Sequence, residues 1–599
     1  MQKRKSNSCL ILFAVLFHQA ASAQIKQVWA VGDGEKIFRE DVDNPAKNGN
    51  FTWNGKTIHL KGLYNEVLAC QVIVEAGVNG AKGIELSVDA PLHKASGKAI
   101  GSTLKYGPAG TIEIFTEHYL HVIDSTPPNW YYGSPAAQPK KMTGWIPDAL
   151  IPADAMAGRG GFPIDINAID TSSGRFPVSQ NQGFWIDISL PKDQKEFPSG
   201  IYSGTVQVLQ NGKLIREIPL EIDLLPFYLP DDNHTNIWMF SGEIYSYFPG
   251  LSRKQVDDML KFEAHRHRID LAGGFEVNTA PFNPDAMEKY KPYLNGTAFT
   301  PANGYHGNGE GVGEKIFPIG MYGSKVMGNT KEVVQKQADL WVEWFSKNAP
   351  AVTYFWYITD EPGEDKYPWI RERAEWIKSN NGSCKNLPVF TTTAYKKDLA
   401  GAVDIWAGYN GVELKELPAI RKTGGDHWFY NGNRPRYGSV ILEGAAVDFR
   451  VNSWILYKYG IITWFIWESV HWQHNGQGPK KHLHQNVFSN PLTFINDQME
   501  YGNGDGILFY PGRMPFYPEE DRGLNKIFPS IRLKNIRRGQ QDAEIMRMAE
   551  KKVGREKVIS IISKVVPKAL SEVSMKEAVP WSEKGDDYDR VREDLLELL

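Results

Sequence analysis

The residues best placed by type and spacing to do chemistry are Asp360 and Glu361, near the end of Tyr354-Phe-Trp-Tyr-Ile-Thr-Asp-Glu-Pro-Gly363. An apolar, aromatic run of this length reads as a buried strand, and it stops in two acids, a proline and a glycine. Pro362 removes an amide donor and holds Glu361 extended, while Gly363 permits a sharp turn. Two carboxyl groups suit cleavage of a glycosidic bond, one protonating the leaving oxygen while the other stabilises positive charge. Side chains alternate along a strand, so both acids reach one pocket only if the strand twists or bulges at its exit. If it stays regular, one acid acts with a partner from another strand, and Asp404, Glu443 and Glu468 are the candidates. Acids also favour helix N-termini, which accounts better for Glu364 and Asp365 ahead of a helix beginning at Pro368.

Such acids need a scaffold that presents strand ends to solvent. From Pro230 onward strand-like and helix-like segments alternate. Strands are expected at Asn236–Ser241, Ile269–Gly273, Phe317–Met321, Val352–Thr359, Val389–Thr393, Val403–Gly408, His427–Tyr430 and Ile461–Trp467. Helices are expected at Arg253–His267, Lys331–Lys347, Pro368–Ser379 and Ala446–Tyr459. Eight strands with intervening helices imply a (β/α)8 TIM-type barrel over 231–550, whose catalytic groups sit at the carboxyl ends of its strands. A doubly wound sheet is the alternative, but Gly307-Asn-Gly-Glu-Gly-Val-Gly313 lacks dinucleotide spacing and precedes a strand. Before the barrel, runs such as Val67-Leu-Ala-Cys-Gln-Val-Ile-Val74 and Gly183-Phe-Trp-Ile-Asp-Ile188 imply an all-β N-terminal sandwich over 24–230. Leu225-Pro-Phe-Tyr-Leu-Pro-Asp-Asp232 marks the boundary, and 551–599 reads as a helical C-terminal segment.

The start of the chain reads as a signal peptide over 1–23: Lys3, Arg4 and Lys5, an apolar run from Cys9 to Phe17, and Ala21-Ser22-Ala23 before Gln24. That run is too short to span a bilayer, so the expected protein is exported, periplasmic or extracellular, without a membrane span. Cleavage leaves 64 basic and 70 acidic residues, a formal net charge of −6, which disfavours nucleic-acid binding. Cys70 and Cys384 lie far apart in sequence and are not read as a disulfide. Aromatic residues make up 12% of the chain, enough to suggest rings stacked on sugar faces, although core packing accounts for most of them.

The Tyr-Ile-Thr-Asp-Glu-Pro segment resembles the catalytic signature of glycoside hydrolase family 123. His427-Trp-Phe-Tyr-Asn431, Leu456-Tyr-Lys-Tyr-Gly-Ile461, Trp464-Phe-Ile-Trp467, Asn503-Gly-Asp-Gly-Ile-Leu-Phe-Tyr-Pro-Gly512, Pro529-Ser-Ile-Arg-Leu533 and Tyr64-Asn-Glu-Val67 are similar to it too. The likeness implies a sandwich followed by a barrel and a β-N-acetylgalactosaminidase. It also implies substrate-assisted retention, in which the sugar's 2-acetamido oxygen attacks the anomeric carbon. Asp360 would then orient the acetamido N–H, and Glu361 would serve as general acid and then general base. The expected partner is a glycan carrying N-acetylhexosamine, and no cofactor is expected.

Trp406, Trp428, Tyr430 and Trp467 are expected to line the sugar site, with Tyr430 able to hydrogen-bond an acetamido carbonyl. Trp356 and Tyr357 are read mainly as packing. His471, His474, His482 and His484 have spacing that could serve a metal, but no cysteine or acid completes the set, so the segment reads as a pocket-edge loop without a metal. His265 and His267 end a helix, where positive charge complements the dipole. Two other readings stand beside this one: a glycosidase of the same fold acting on a glycan without the acetamido group, and a non-catalytic glycan-binding envelope protein.

Overall fold

Along the strand Ser179–Ser189 the side chains divide by alternation, and this division organises the molecule. Phe184, Ile186 and Ile188 enter an apolar core between two sheets, whereas Trp185 belongs to a second core on the far side and Asp187 shares its face. The computed structural model describes residues 24–599 except 102–105, 107–110, 130, 170–178, 273–275, 324, 409–410, 475–482 and 497, and only the backbone of 276 and 474. The expected signal peptide lies outside the described residues.

The N-terminal part is a sandwich. One antiparallel sheet runs in the order Ile25–Gly32, Val67–Gly77, Ser179–Ser189, Ile112–Val122, Gly144–Pro152. The other runs Ile58–Tyr64, Lys213–Tyr228, Gly200–Gln210, Ala81–His93, Lys98–Ala99, with Ile164–Ile166 also on Ala81–His93. Trp29, Val72, Val74, Ile84, Leu86, Val206, Val208 and Leu220 fill the space between them. Because the first sheet is covered on both faces, its strands carry near-continuous apolar runs.

The following part is built of parallel strands and helices. One sheet has the order Asp270–Ala272, Asn236–Phe240, Thr463–Ile466, Phe429–Tyr430; the other runs Ile316–Ile319, Thr353–Thr359, Val389–Thr391, Ile405–Trp406, Asp426–His427. A single residue, Trp428, separates His427 from Phe429, so the chain passes directly between the sheets. Their inner side chains meet in one aromatic core: Trp238 stacks on Phe465 (3.9 Å) and also packs against Phe390 and Trp428.

The expected closed ring of eight hydrogen-bonded strands is thus met by two parallel sheets, and no pairing joins Asp270–Ala272 to Ile316–Ile319 among the described residues. The reason is local. The Asp270 carboxylate accepts from the amides of Lys315 (2.7 Å) and Ile316 (3.1 Å), satisfying donors that a neighbouring strand would otherwise take.

Helices Arg253–Arg266, Lys331–Asn348, Tyr367–Lys378 and Val447–Tyr459 cross between strands. The first starts on a Ser252/Gln255 capping box, and the last ends on Gly460 in the left-handed conformation. The long helix Ile531–Val553 is buried over most of its length, bonded to the sandwich through Asp148 and Asp187 and to Val447–Tyr459 through Arg450. Cys70 and Cys384 are both free thiols in the interior. No helix among the described residues is long and apolar enough to cross a membrane.

Candidate active site

The strand Thr353–Thr359 sends Phe355 and Tyr357 into the aromatic core, while Trp356 and Ile358 pack outward against the helical layer. Its pairing with Val389–Thr391 runs Trp356 to Val389 and Tyr357 to Phe390, then jumps to Thr359 opposite Thr391, leaving Ile358 as an extra residue. Beyond the strand, Glu361 has φ 36°, in the left-handed region. Bulge and turn together break the alternation. Asp360 and Glu361 therefore both border one cavity of about 740 Å³ at the carboxyl end of the strands.

A hydroxyl cluster fixes the pair. Asp360 Oδ1 accepts from the Tyr357 hydroxyl (2.6 Å) and from Thr392 Oγ1 (2.6 Å). Thr392 Oγ1 in turn accepts the Glu361 amide at 2.7 Å, and Thr391 Oγ1 donates to the Thr359 carbonyl at 2.8 Å. No cation touches either acid among the described residues. Glu361 opens on the cavity, yet the surrounding protein strips enough water to push its carboxyl up to about 7, helped by the charge of Asp360. A carboxyl poised there can both give and take a proton near neutral pH. Burial, then the charges of Asp360 and Glu361, push the Tyr430 phenol up, so it stands as a neutral donor.

The remaining lining comes from Asn129, Tyr131, Gly133, Tyr322, Tyr430, Asn431, Asn433, Trp467, Phe494, Asn496, Glu500, Asp505 and Met575. Of the sequence candidates, Asp360, Glu361, Tyr430 and Trp467 are brought together here. Trp406 and Trp428 are not. Trp406 is 1% exposed and packs edge-on against Tyr395 in the outer layer, and Trp428 is 3% exposed within the aromatic core.

The three alternative acids lie elsewhere. Asp404 accepts from Lys378 and from the amide of Val389, the first residue of its strand, and so sits at the amino end of the sheet. Glu443 is buried against Thr126 and Asn503, and Glu468 accepts the amides of Gly242, Ser469 and Val470. His471 packs on Trp467 and His484 stacks on Phe516; His482 and the side chain of His474 lie outside the described residues. No group of three or more His, Cys, Asp or Glu is placed to hold a metal among the described residues. His265 and His267 do not act as helix-terminal charges. Burial drives both imidazoles down, His265 to about 4, and each instead bonds a carbonyl, of Gly309 and Glu263 respectively.

Sequence reasoning did not reach Thr392, Tyr322, Asn129, Tyr131, Asn431 or Asp505 as site residues. Asn431 and Asp505 lie inside stretches singled out for their resemblance, directly after Tyr430 and within Asn503-Gly-Asp-Gly. Thr392 had a readable signal, since a run of threonines at the exit of the neighbouring strand places hydroxyls beside the acids.

No family model matches the chain, and no curated protein matches it. Among solved structures, it is similar to a family 123 glycoside hydrolase from Clostridium perfringens studied for glycolipid glycan hydrolysis. The two share 12% identity over 95% of this chain and 98% of that one, with a TM-score of 0.62. A family 39 glycoside hydrolase from Bacteroides cellulosilyticus WH2 gives 11% identity over 69% and 78% of the two chains, with a TM-score of 0.28. The chain thus has the fold of a family 123 glycoside hydrolase.

Proposed function

We propose that this chain is an exported, retaining glycoside hydrolase that removes terminal β-linked N-acetylhexosamine, N-acetylgalactosamine in particular. The observation that carries the reading is the adjacent pair Asp360 and Glu361 opening on one cavity, with the Glu361 carboxyl near 7. In the first step the acetamido oxygen of the bound sugar attacks the anomeric carbon. The glycosidic C–O bond breaks, and the Glu361 proton passes to the leaving oxygen. Asp360, fixed by Tyr357 and Thr392, accepts the acetamido N–H and offsets the charge of the oxazolinium. Water then adds to the anomeric carbon, giving its proton to Glu361, and the acetamido group re-forms with net retention. On this reading Tyr430 and Trp467, both lining the cavity, steady the acetamido oxygen and receive an apolar sugar face respectively.

Hydrolysis of 4-nitrophenyl β-N-acetylgalactosaminide and its gluco epimer tests this. Wild type is expected to release nitrophenol, and Glu361→Gln to lose about 10²- to 10⁴-fold in kcat, the usual worth of a general acid. A thiazoline mimic of the oxazoline should inhibit. Turnover of sugars lacking the acetamido group, with indifference to the thiazoline, would replace substrate assistance by a conventional nucleophile. Export is tested separately by N-terminal sequencing of the secreted fraction, expected to begin at Gln24.

A further inference from the structure

One side of the cavity does not belong to the barrel-like part. Asn129, Tyr131 and Gly133 come from the connection 123–143 between the sandwich strands Ile112–Val122 and Gly144–Pro152. This connection is pinned at several points. Asn129 Nδ2 donates to the Tyr501 carbonyl (2.8 Å), and Asn129 Oδ1 accepts from the Tyr131 amide (2.8 Å). The Arg434 amide donates to the Tyr131 carbonyl (3.1 Å), and the Gly133 amide to the Arg434 carbonyl (2.9 Å). Beneath them, buried Glu443 Oε1 accepts from the amide and hydroxyl of Thr126 (2.9 Å each) and from Asn503 Nδ2 (2.6 Å). A carboxylate weighed above as a catalytic partner thus staples the sandwich connection to the segment that carries Asp505. Ordering a long connection costs conformational entropy, and these bonds offset that cost by holding Asn129 and Tyr131 at the cavity.

Trp467, on the same cavity, is held by its own set of contacts. Buried Asp505 accepts from the Trp467 indole N–H (2.7 Å), and the Tyr131 side chain is near enough to favour its anionic form. The Trp467 amide donates to Asn431 Oδ1 (2.9 Å), its carbonyl accepts from the Tyr322 hydroxyl, and its ring rests against Phe494. An indole held at its ring nitrogen and at both backbone groups is a preorganised platform.

We propose that the sandwich is a working part of the glycan site: Asn129 and Tyr131 contact sugar hydroxyls beside the Trp467 ring that Asp505 holds. The inference rests on the glycosidase reading of the cavity and extends it to recognition. The chemistry fits a neutral polyhydroxylated ring, its apolar face on the indole and its hydroxyls met by an amide and a phenol.

Steady-state kinetics of Asn129→Ala and Tyr131→Phe on 4-nitrophenyl β-N-acetylgalactosaminide test it. Each should raise KM about five- to tenfold, the worth of one or two hydrogen bonds, with kcat within about twofold of wild type. The melting temperature should fall by no more than a few degrees, as the loss of one or two neutral hydrogen bonds in a protein of this size implies. Unchanged KM in both variants overturns the proposal. If wild type turns over neither epimer, the proposed reaction falls, and the recognition wall is judged by binding of Glu361→Gln protein to a mucin O-glycan array. Weaker binding when Asn129→Ala or Tyr131→Phe is added supports the wall; equal or absent binding overturns it.

Discussion

Two regions of this molecule are rich in carboxylates withdrawn from water, and they treat them in opposite ways. Around the helix Ile531–Val553, buried carboxylates meet guanidinium and ammonium groups. Asp187 lies against Lys534 and Arg537 (2.7 Å to each), Asp148 against Arg532 (2.7 Å), and Glu66 against Arg538 and Arg592. At the cavity, among the described residues, Asp360 has only hydroxyl partners and Glu361 has only Asp360 as a charged neighbour. Burial raises both Asp187 and Glu361. The guanidinium and ammonium beside Asp187 overcome burial and hold its carboxyl far below the usual range, whereas Glu361 stays near 7. The same residue class becomes a permanent ion in one place and a proton carrier in the other, and the neighbours alone make the difference.

The comparison breaks most sharply in a pair of isosteric amides. Glu361→Gln should remove nearly all turnover and cost no stability, because no cation is left unpaired. Asp187→Asn should leave Arg537 and Lys534 short of their counter-charge in the interior. The expected cost is about 3–5 kcal/mol, with turnover per folded molecule retained. Thermal melts beside activity assays separate the two, and a stable, active Asp187→Asn would sink the contrast.

The pH responses should oppose one another as well. The Asp187 carboxyl is depressed on folding, so its contribution is present above the unfolded value near 3.8 and lost as pH falls below it. The Glu361 carboxyl is raised on folding, so its contribution is present below 4.5 and lost as pH rises through about 7. Acid should therefore destabilise wild type more than Asp187→Asn. For kcat/KM, the basic limb should fall above pH about 7 as Glu361 loses its proton, and a limb lying well above 9 would assign the acid to another group.

What the sequence made legible is what one stretch of chain decides alone. The buried strand ending in Asp-Glu-Pro-Gly, and the need for a bulge there, follow from side-chain alternation, and the register jump at Ile358 supplies it. Helix limits at Arg253 and Tyr459 were legible from apolar spacing, and the structure caps them with Ser252 and Gly460. Depth along a strand was harder to read. Trp428 and Tyr430 share a face, but two residues of strand rise about 6.6 Å, so Tyr430 reaches the cavity and Trp428 stays in the core. The strand Ile405–Trp406 is two residues long, too short for alternation to say which way Trp406 points. The cavity wall was least legible: Asn129 and Tyr131 line the same cavity as Trp467 across hundreds of residues, and no local pattern marks a loop as belonging to a distant site. Likewise, the break between Asp270–Ala272 and Ile316–Ile319 depends on one carboxylate intercepting two amides.

A smaller effect sharpens the comparison from the polar side. If hydroxyls do at the cavity what cations do at the buried helix, then Thr392 is the counterpart of Arg537. Its oxygen donates to Asp360 and accepts the Glu361 amide, so one atom sets both acids. Thr392→Val keeps the shape and removes the hydroxyl. A single neutral hydrogen bond contributes about 0.5–1.5 kcal/mol, so the loss in kcat should be about three- to tenfold, far below that of Glu361→Gln. Thr392→Ser retains the hydroxyl and should restore the rate. If valine and serine behave alike, methyl packing rather than the hydroxyl sets the site, and the parallel with the buried ion pairs fails at that point.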